Sequence, residues 1–421
     1  MSPATAPNPG QPDVSREPVI TVLGVGADLT LESSARALLA AADVVLGGRR
    51  HLAALDASIG ESSTQQRISW PSPLADQLPA LLAEHRGRRV VALASGDPLV
   101  SGIGGTLIRL LGADAVRIVP AISSVALARA AMGWTAEESE VLTLVGRDVD
   151  ALRRAVAPNR RLLVLTSGPQ TPAEIGGILA AVGHGSAALT VLSDLGTADE
   201  ARSTRSADAW TRVSSDDVPT LHVVAVETSP DTPYLSAWVA GLPDDAFEND
   251  GQLTKRDLRA SALARLAPAP GQHLWDVGAG AGSVGIEWMR AHPTCRTTAV
   301  EANSERAARI ASNARALGVP GLSVVEAKAP DALAALETPD AIFIGGGATR
   351  PGVLDACLGA LGPGGRLVVH GVTLETEQLL ADAYRTHGGE LTRIAVESTA
   401  PVGTFTGWTP ARTVTQWAWQ R

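Results

Sequence analysis

The chain has 421 residues, enough for two or three domains, and with 45% hydrophobic against 19% charged residues it can bury sizeable cores. A formal net charge of −9 argues against a phosphate-neutralising surface, so nucleic acid is not an expected partner. Cys295 and Cys357 lie far apart and outside any CxxC pair, which argues against a disulfide framework or a structural zinc site, and no metal is expected. Of 35 basic residues only Lys255 and Lys328 are lysine, so arginine is the default cation of this chain and each lysine merits inspection. No apolar run reaches the roughly 18 residues of a membrane span, and a cytoplasmic protein without a membrane partner is expected.

In chain order, residues 1–16 are rich in Pro, Ala, Asn and Ser, lack the basic region and apolar core of a signal peptide, and read as a disordered tail. Alternating strands and helices follow. Strands are expected at Val19–Val25, Val44–Leu46, Arg89–Ala94, Val116–Val119, Val141–Val145, Leu162–Thr166, Ala188–Leu192 and Leu221–Glu227. Helices are expected at Ser33–Ala42, Gly104–Leu111 and Ser123–Met132. Such alternation predicts a mainly parallel sheet with crossover helices. Residues 229–250, with three prolines and a run of acids, read as a linker.

A second α/β unit then begins, with strands expected near Gln272–Val277, Arg296–Val300, Leu322–Val325, Ala341–Ile344 and Arg366–His370. Two later extended segments, Glu390–Glu397 and Thr413–Trp419, are expected to pair antiparallel at the sheet edge. The expected domains are therefore 17–228 and 251–421. They share no visible repeat, so two different folds are expected in one chain.

The most informative stretch lies in the second unit. Asp276 ends a strand, Gly278, Gly280 and Gly282 follow at a spacing of two, and Glu301 ends the next apolar run. Glycines permit backbone conformations and close approaches that a side chain blocks. A dinucleotide fingerprint needs Gly-x-Gly-x-x-Gly facing a pyrophosphate. Here the spacing differs, and a leading carboxylate would repel phosphate. It suits S-adenosylmethionine, which carries an ammonium and a sulfonium, with Glu301 on the ribose diol. A strand at Ala341–Ile344 ending in Gly345-Gly346-Gly347, and the turn Pro363-Gly364-Gly365, add two signals at the edge where open α/β sheets bind ligands.

Together with Gly251-Gln252-Leu253-Thr254-Lys255-Arg256-Asp257-Leu258-Arg259 and Val372-Thr373-Leu374-Glu375-Thr376, these motifs make residues 245–421 resemble the decarboxylating precorrin methyltransferase family acting on carbon 15. The resemblance implies a Rossmann-like class I methyltransferase fold. It implies cofactor contacts from Asp276, Gly278, Gly280, Gly282, Glu301 and Gly345, catalytic roles for Thr254, Lys255 and Glu375, and substrate contacts from Arg256 and Arg259. Where the family has Gly-Asp-Ala-Pro, this chain has Ala327-Lys328-Ala329-Pro330, and where Asn is common it has His370, which reads as a structural histidine.

Residues 17–228 resemble the tetrapyrrole methylase family, and within it the members acting on carbon 5. The resemblance rests on Gly24-Val25-Gly26, Gly47-Gly48-Arg49-Arg50-His51-Leu52, Ala94-Ser95-Gly96-Asp97-Pro98, Pro120-Ala121-Ile122-Ser123-Ser124 and Gly146-Arg147. It implies a two-lobed class III methyltransferase fold with S-adenosylmethionine in the cleft between the lobes. The implied cofactor contacts are Gly96, Asp97, Pro98, Ser123 and Ser124, with Arg49 on the substrate. Ala27-Asp28, Val100-Ser101 and Val145 depart from the family pattern. Two dissimilar methyltransferase units in this order resemble the fused family that methylates carbons 5 and 15 of a precorrin, with decarboxylation, in cobalamin biosynthesis. The expectation is a bifunctional enzyme with one S-adenosylmethionine site per domain and a homo-oligomeric state. A class I tRNA methyltransferase with an accessory domain, or a non-catalytic N-terminal scaffold, stands as the alternative.

Overall fold

The computed structural model describes residues 19–28, 31, 33–59, 65–229 and 239–421. The expected tail at 1–16 and residues 230–238 of the expected linker lie outside them. Two compact units result: Met1–Arg147 with Asn159–Pro230, and Asp148–Pro158 with Asp231–Arg421.

The first unit holds two five-stranded sheets. In one, β1 (Ile20–Val25), β2 (Val44–Gly47), β3 (Gln66–Ser69), β4 (Val90–Ser95) and β5 (Val116–Val119) run parallel in the order β3-β2-β4-β1-β5. Alternate residues of β1 feed opposite cores. Ile20 and Val22 pack with Val44, Leu46 and Leu107, whereas Leu23 and Val25 pack with Leu39, Val45 and Leu93. Burial on both faces explains why this strand reads as a continuous apolar run.

The other sheet contains β6 (Glu140–Thr143), β7 (Arg161–Leu165), β8 (Ala188–Ser193), β9 (Ala201–Ser206) and β10 (His222–Glu227), in the order β6-β7-β10-β8-β9. Only β6 and β7 pair in parallel; the other three pairings are antiparallel. The expectation of a mainly parallel sheet therefore holds for the first lobe and not for the second. Two strands gave no hydrophobic signal: β9, Ala-Arg-Ser-Thr-Arg-Ser, is exposed along its length, and β3 is short and polar. The seven residues between β8 and β9 are too few for a crossover helix, so the pair is antiparallel.

The second unit is one seven-stranded sheet with a separate hairpin. Its strands are β11 (His273–Val277), β12 (Arg296–Glu301), β13 (Ser323–Glu326), β14 (Ala341–Ile344), β15 (Arg366–Gly371) and β16 (Glu390–Ile394), then β17 (Glu397–Val402), β18 (Phe405–Pro410) and β19 (Val414–Gln420). The order is β13-β12-β11-β14-β15-β19-β16, with β19 antiparallel to both neighbours. The expected antiparallel pair forms, but β19 lies inside and β16 takes the edge. Val414 and Trp417 of β19 are buried, whereas β16 is largely exposed, so the more apolar strand occupies the interior position. The run after Ile394 does not extend β16 but folds into the β17–β18 hairpin.

One buried ion pair fixes how the chain enters this sheet. Arg259, on the helix Arg256–Leu266, is fully buried and donates from Nε to Glu287 Oε1 at 2.7 Å and from NH1 to the Thr254 carbonyl at 2.6 Å. Glu287 also accepts from the backbone N–H groups of Gly241 and Leu242, at 2.7 and 2.8 Å. The guanidinium lies over the Phe247 ring, 4.6 Å from its centroid. Replacing one partner strands the other charge in the core, a loss of about 3–5 kcal/mol. Glu287→Ala should lower the stability of the second unit by that order, whereas the exposed control Glu397→Ala should change it by less than about 0.5 kcal/mol. Chemical denaturation followed by tryptophan fluorescence measures both.

Candidate active sites

In the second unit the strand ends of β11, β12 and β14 enclose a cavity of about 230 Å³. Its wall includes Gly278, Gly280, Glu301 and Gly345, together with Gln252, Arg306 and Arg350. Four of the six expected cofactor residues thus meet at one place. Gly280 shows why the loop is glycine: its φ is +61°, and a Cβ there would lie 2.7 Å from the Gln252 carbonyl oxygen. Ala281 N–H donates to that same carbonyl at 3.2 Å, so residues before the helix Arg256–Leu266 close over the loop.

Glu301 is buried, and both carboxylate oxygens are engaged by backbone: Oε2 accepts from Gly280 N–H at 2.9 Å and Oε1 from Asn303 N–H at 3.0 Å. Each oxygen keeps lone-pair capacity toward the cavity. Asp276 and Gly282 lie behind the wall rather than in it. Asp276 Oδ2 accepts from Gly285 N–H at 2.9 Å, and Oδ1 is buried without a protein partner. Burial pushes the Asp276 carboxyl up to about 7; the Gly285 N–H opposes this and the nearby Glu301 charge adds to it. Gly282, at φ +76°, begins the helix Ser283–Ala291 and packs against Ile310.

The other expected residues of this unit separate by exposure. Lys255 is the N-cap of its helix, 56% exposed, with Nζ 3.7 Å from Asp244 Oδ2. Arg256 is also exposed. Arg259 is not available to a substrate, because its guanidinium is consumed by Glu287, Asp244 and two backbone carbonyls in the core. Its position one turn inward on the helix, packed with the buried Ala262, Leu263 and Leu266, accounts for the difference from Arg256. The Thr254 carbonyl serves Arg259, and Glu375 sits exposed in the first turn of the helix Leu374–His387, capped by Thr373. Glu375 is held below the usual carboxylate range, first by its own backbone N–H and then by the Thr373 hydroxyl.

The first unit has a larger cavity, about 420 Å³, between its two sheets. Three loops form one wall. Gly96 N–H donates to Val25 C=O at 2.8 Å and Ala121 N–H to Gly96 C=O at 3.2 Å. Gly96 has φ +58°, and a Cβ would lie 2.8 Å from the Ile122 carbonyl. Of the five expected cofactor residues, Gly96 and Ser124 line the cavity, whereas Asp97, Pro98 and Ser123 build the loops. Asp97 Oδ1 accepts from Leu99 N–H at 2.8 Å, Pro98 C=O from Gly104 N–H at 3.0 Å, and Ser123 Oγ caps its helix through Ala126 N–H at 3.1 Å.

Arg49, expected on the substrate, is exposed and does not line this wall, whereas its neighbours Arg50 and His51 do. The helix Arg49–Ile59 begins at that residue, so only the next two positions reach β4. His51 Nε2 is 3.1 Å from Ser95 Oγ, and Arg50 NH2 donates to the same oxygen at 3.3 Å. Asp194, Thr166 and His222 also line the cavity and were not singled out from sequence. Asp194 (φ +48°) and Ser101 (φ +53°) are non-glycine residues in the left-handed region, a kind of strain that clusters at binding sites. Among the described residues no group of His, Cys, Asp and Glu is placed to hold a metal ion, and no helix is long and apolar enough to cross a membrane.

These two architectures define a class. The sheet order of the second unit, with its antiparallel strand β19 and the glycine loop after β11, is that of a class I methyltransferase, and the two-lobed first unit is that of a tetrapyrrole methylase. Family models agree: the tetrapyrrole (corrin/porphyrin) methylases match residues 20–208, and the precorrin methyltransferase domain matches 245–421. The precorrin-6Y C(5,15)-methyltransferase [decarboxylating] of Sinorhizobium sp. is 44% identical over 407 residues, 96% of this chain and 97% of that protein. Two shorter proteins of Salmonella typhimurium are each 32% identical. The cobalt-precorrin-7 C(5)-methyltransferase aligns with 43% of this chain and 88% of its own length, and the cobalt-precorrin-6B C(15)-methyltransferase (decarboxylating) with 36% and 80%. The chain belongs to the family of decarboxylating precorrin-6Y C(5,15)-methyltransferases.

His370, the residue that replaces a common Asn, is buried in β15. It meets the Phe343 ring edge-on at 5.0 Å and shares a 2.9 Å hydrogen bond with the Gln416 side chain. Burial lowers its pKa from 6.5 to about 4, with the Gln416 bond opposing. The unfolded chain therefore binds a proton that the folded one refuses. The contribution to stability is present above pH 6.5 and is lost as pH falls through that value toward 4, on the order of 3 kcal/mol in total. His370→Asn should flatten the stability–pH curve across this window, as read by denaturation at pH 7 and pH 4.5. An unchanged slope would show that the ring is protonated in the fold.

Proposed function

We propose that the chain transfers two methyl groups from S-adenosylmethionine to one precorrin. The first unit would act at carbon 5, and the second at carbon 15, with loss of carbon dioxide from the ring C acetate. The observation that carries this reading is that the two family matches fall on separate units, each with its own glycine-walled cavity at strand ends. The lengths of the two shorter relatives support the same division, since each spans roughly one unit.

The residues present suit the cofactor. In the second unit, Gly278, Gly280 and Gly345 wall the cavity at backbone approaches too close for a Cβ, and the Glu301 carboxylate faces the cavity with lone pairs suited to a ribose diol. Asp276 keeps one buried oxygen free of protein partners, an acceptor for the amino-acid end through water. In the first unit, Gly96 and Ser124 would serve the same ligand. When bound, S-adenosylmethionine supplies an electrophilic methyl group on sulfur. The protein's part is to align the ring carbon with it and to exclude water. Lys255 and Arg256, both exposed at one helix start, are suited to hold substrate carboxylates.

Titration calorimetry with S-adenosylhomocysteine on the full chain should give two sites. Gly280→Ala places a methyl group 2.7 Å from a backbone oxygen at positive φ, with strain of about 1–3 kcal/mol. It should remove or weaken one site at least tenfold and leave the other intact. A single site in the wild-type chain would contradict the reading, as would loss of both in the variant. The reaction itself is tested with reduced precorrin-6 as substrate. A product carrying two new methyl groups and lacking one carboxyl group is expected.

A further inference from the structure

We propose that Ser95 and His51 form a proton relay for methyl transfer in the first unit, with Arg50 holding the relay in register. This rests on the reading of that unit as the carbon 5 site. Three side chains carry it: Ser95 at the end of β4, and Arg50 and His51 in the first turn of the helix Arg49–Ile59, all lining one cavity.

The hydrogen-bond inventory admits the direction the relay needs. Arg50 is an obligate donor and gives an N–H to Ser95 Oγ at 3.3 Å. In the relay the hydroxyl hydrogen points at His51 Nε2, 3.1 Å away, with a lone pair on Nε2 and the imidazole hydrogen on Nδ1, the tautomer that ¹⁵N shifts read. Burial, and then the Arg50 charge, lower the His51 pKa, so the ring stays neutral and able to accept near pH 7. Arg50, Asp194 and His222 are the other titratable or charged groups on the same cavity wall, and His222 Nδ1 is already tied to the Pro219 carbonyl at 2.7 Å.

The balance of the reaction requires such an acceptor. A carbon–carbon bond forms as the methyl–sulfur bond breaks, the sulfide departs neutral, and its positive charge passes to the macrocycle. That charge leaves as a proton. Ser95 takes the proton from the substrate while passing its own to His51 Nε2, and the imidazolium later releases it to water. No other reactant is needed.

The full chain, S-adenosylmethionine and reduced precorrin-6 test this, with carbon 15 methylation in the same chain as internal control. His51→Gln and Ser95→Ala should each lower kcat for carbon 5 methylation by about 10²-fold. Carbon 15 methylation and the stoichiometry of S-adenosylhomocysteine binding should not change. The wild-type rate should fall on acidification as His51 protonates, and this limb should vanish in His51→Gln. Independently of turnover, ¹⁵N shifts of His51 in the ligand-free protein should report an unprotonated Nε2, altered in Ser95→Ala. A protonated Nε2 would overturn the proposal. So would near-wild-type carbon 5 turnover in His51→Gln, or a rise in KM alone, or transfer of the acid limb to Asp194→Asn or His222→Gln. A wild-type chain that methylates carbon 15 and never carbon 5 would instead refute the assignment of the first unit.

Discussion

The cavity of the second unit depends on a charge that never meets it. Arg259, buried beneath the start of its helix, draws Glu287 and the Leu242 and Thr254 carbonyls around one guanidinium. Residues 241–254 are thereby tied down at both ends. Gln252, within that stretch, presents its carbonyl to Ala281 N–H and within 2.7 Å of where a Gly280 Cβ would stand. The glycine loop is therefore shaped from below by the strand end and from above by this segment. A buried ion pair is weak evidence for net stability, since apolar residues of similar volume can do as well. Its directional demand is different: five donors in a rigid fork fix where several chain segments must lie.

Two carboxylates at neighbouring strand ends then divide the work by environment. Glu301 receives two backbone N–H groups and faces the cavity. Asp276 receives one, lies deeper, and is pushed toward the neutral form by burial. The same residue class thus leaves a carboxylate facing the cavity in one place and makes a strand-to-helix clamp in the other. Helix Ser283–Ala291 needs that clamp because Gly285 must lie close to Asp276 and Thr297, where a Cβ would be 2.6 Å from the Thr297 methyl.

What the sequence disclosed follows the physics of each signal. Strands buried on both faces, such as β1, β4, β11 and β14, stood out as apolar runs, and the glycines at 278, 280 and 345 were legible because backbone approach at strand ends admits little else. Polar strands did not: β3 and β9 carry few apolar side chains and leave no alternating hydrophobic pattern. Side-chain roles were least legible. Arg256 and Arg259 stand three apart on one helix in equally basic surroundings, yet one is exposed and the other lies in the core. Only the acid opposite, Glu287, decides which. Likewise the motif at 47–52 marked a turn at the cavity without saying which basic residue lines it, because helix phase is set by where the first turn begins.

On the proposed division of labour the two units face different charge balances. At carbon 15, the positive charge that arrives with the methyl group is matched by the electron pair released when an ionised acetate loses carbon dioxide, so that transfer generates no net proton. At carbon 5 there is no such leaving group, and the proton must be received by the protein or by water. A protein group held on the cavity wall can receive it directly. In the first unit a hydroxyl and an imidazole stand in contact on the cavity wall, oriented by an arginine. In the second, the cavity wall offers Glu301, with both carboxylate oxygens already engaged by backbone donors. On this reading the difference between the two cavities follows from the difference between the two reactions: one unit must accept a proton, and the other must orient a carboxylate for departure.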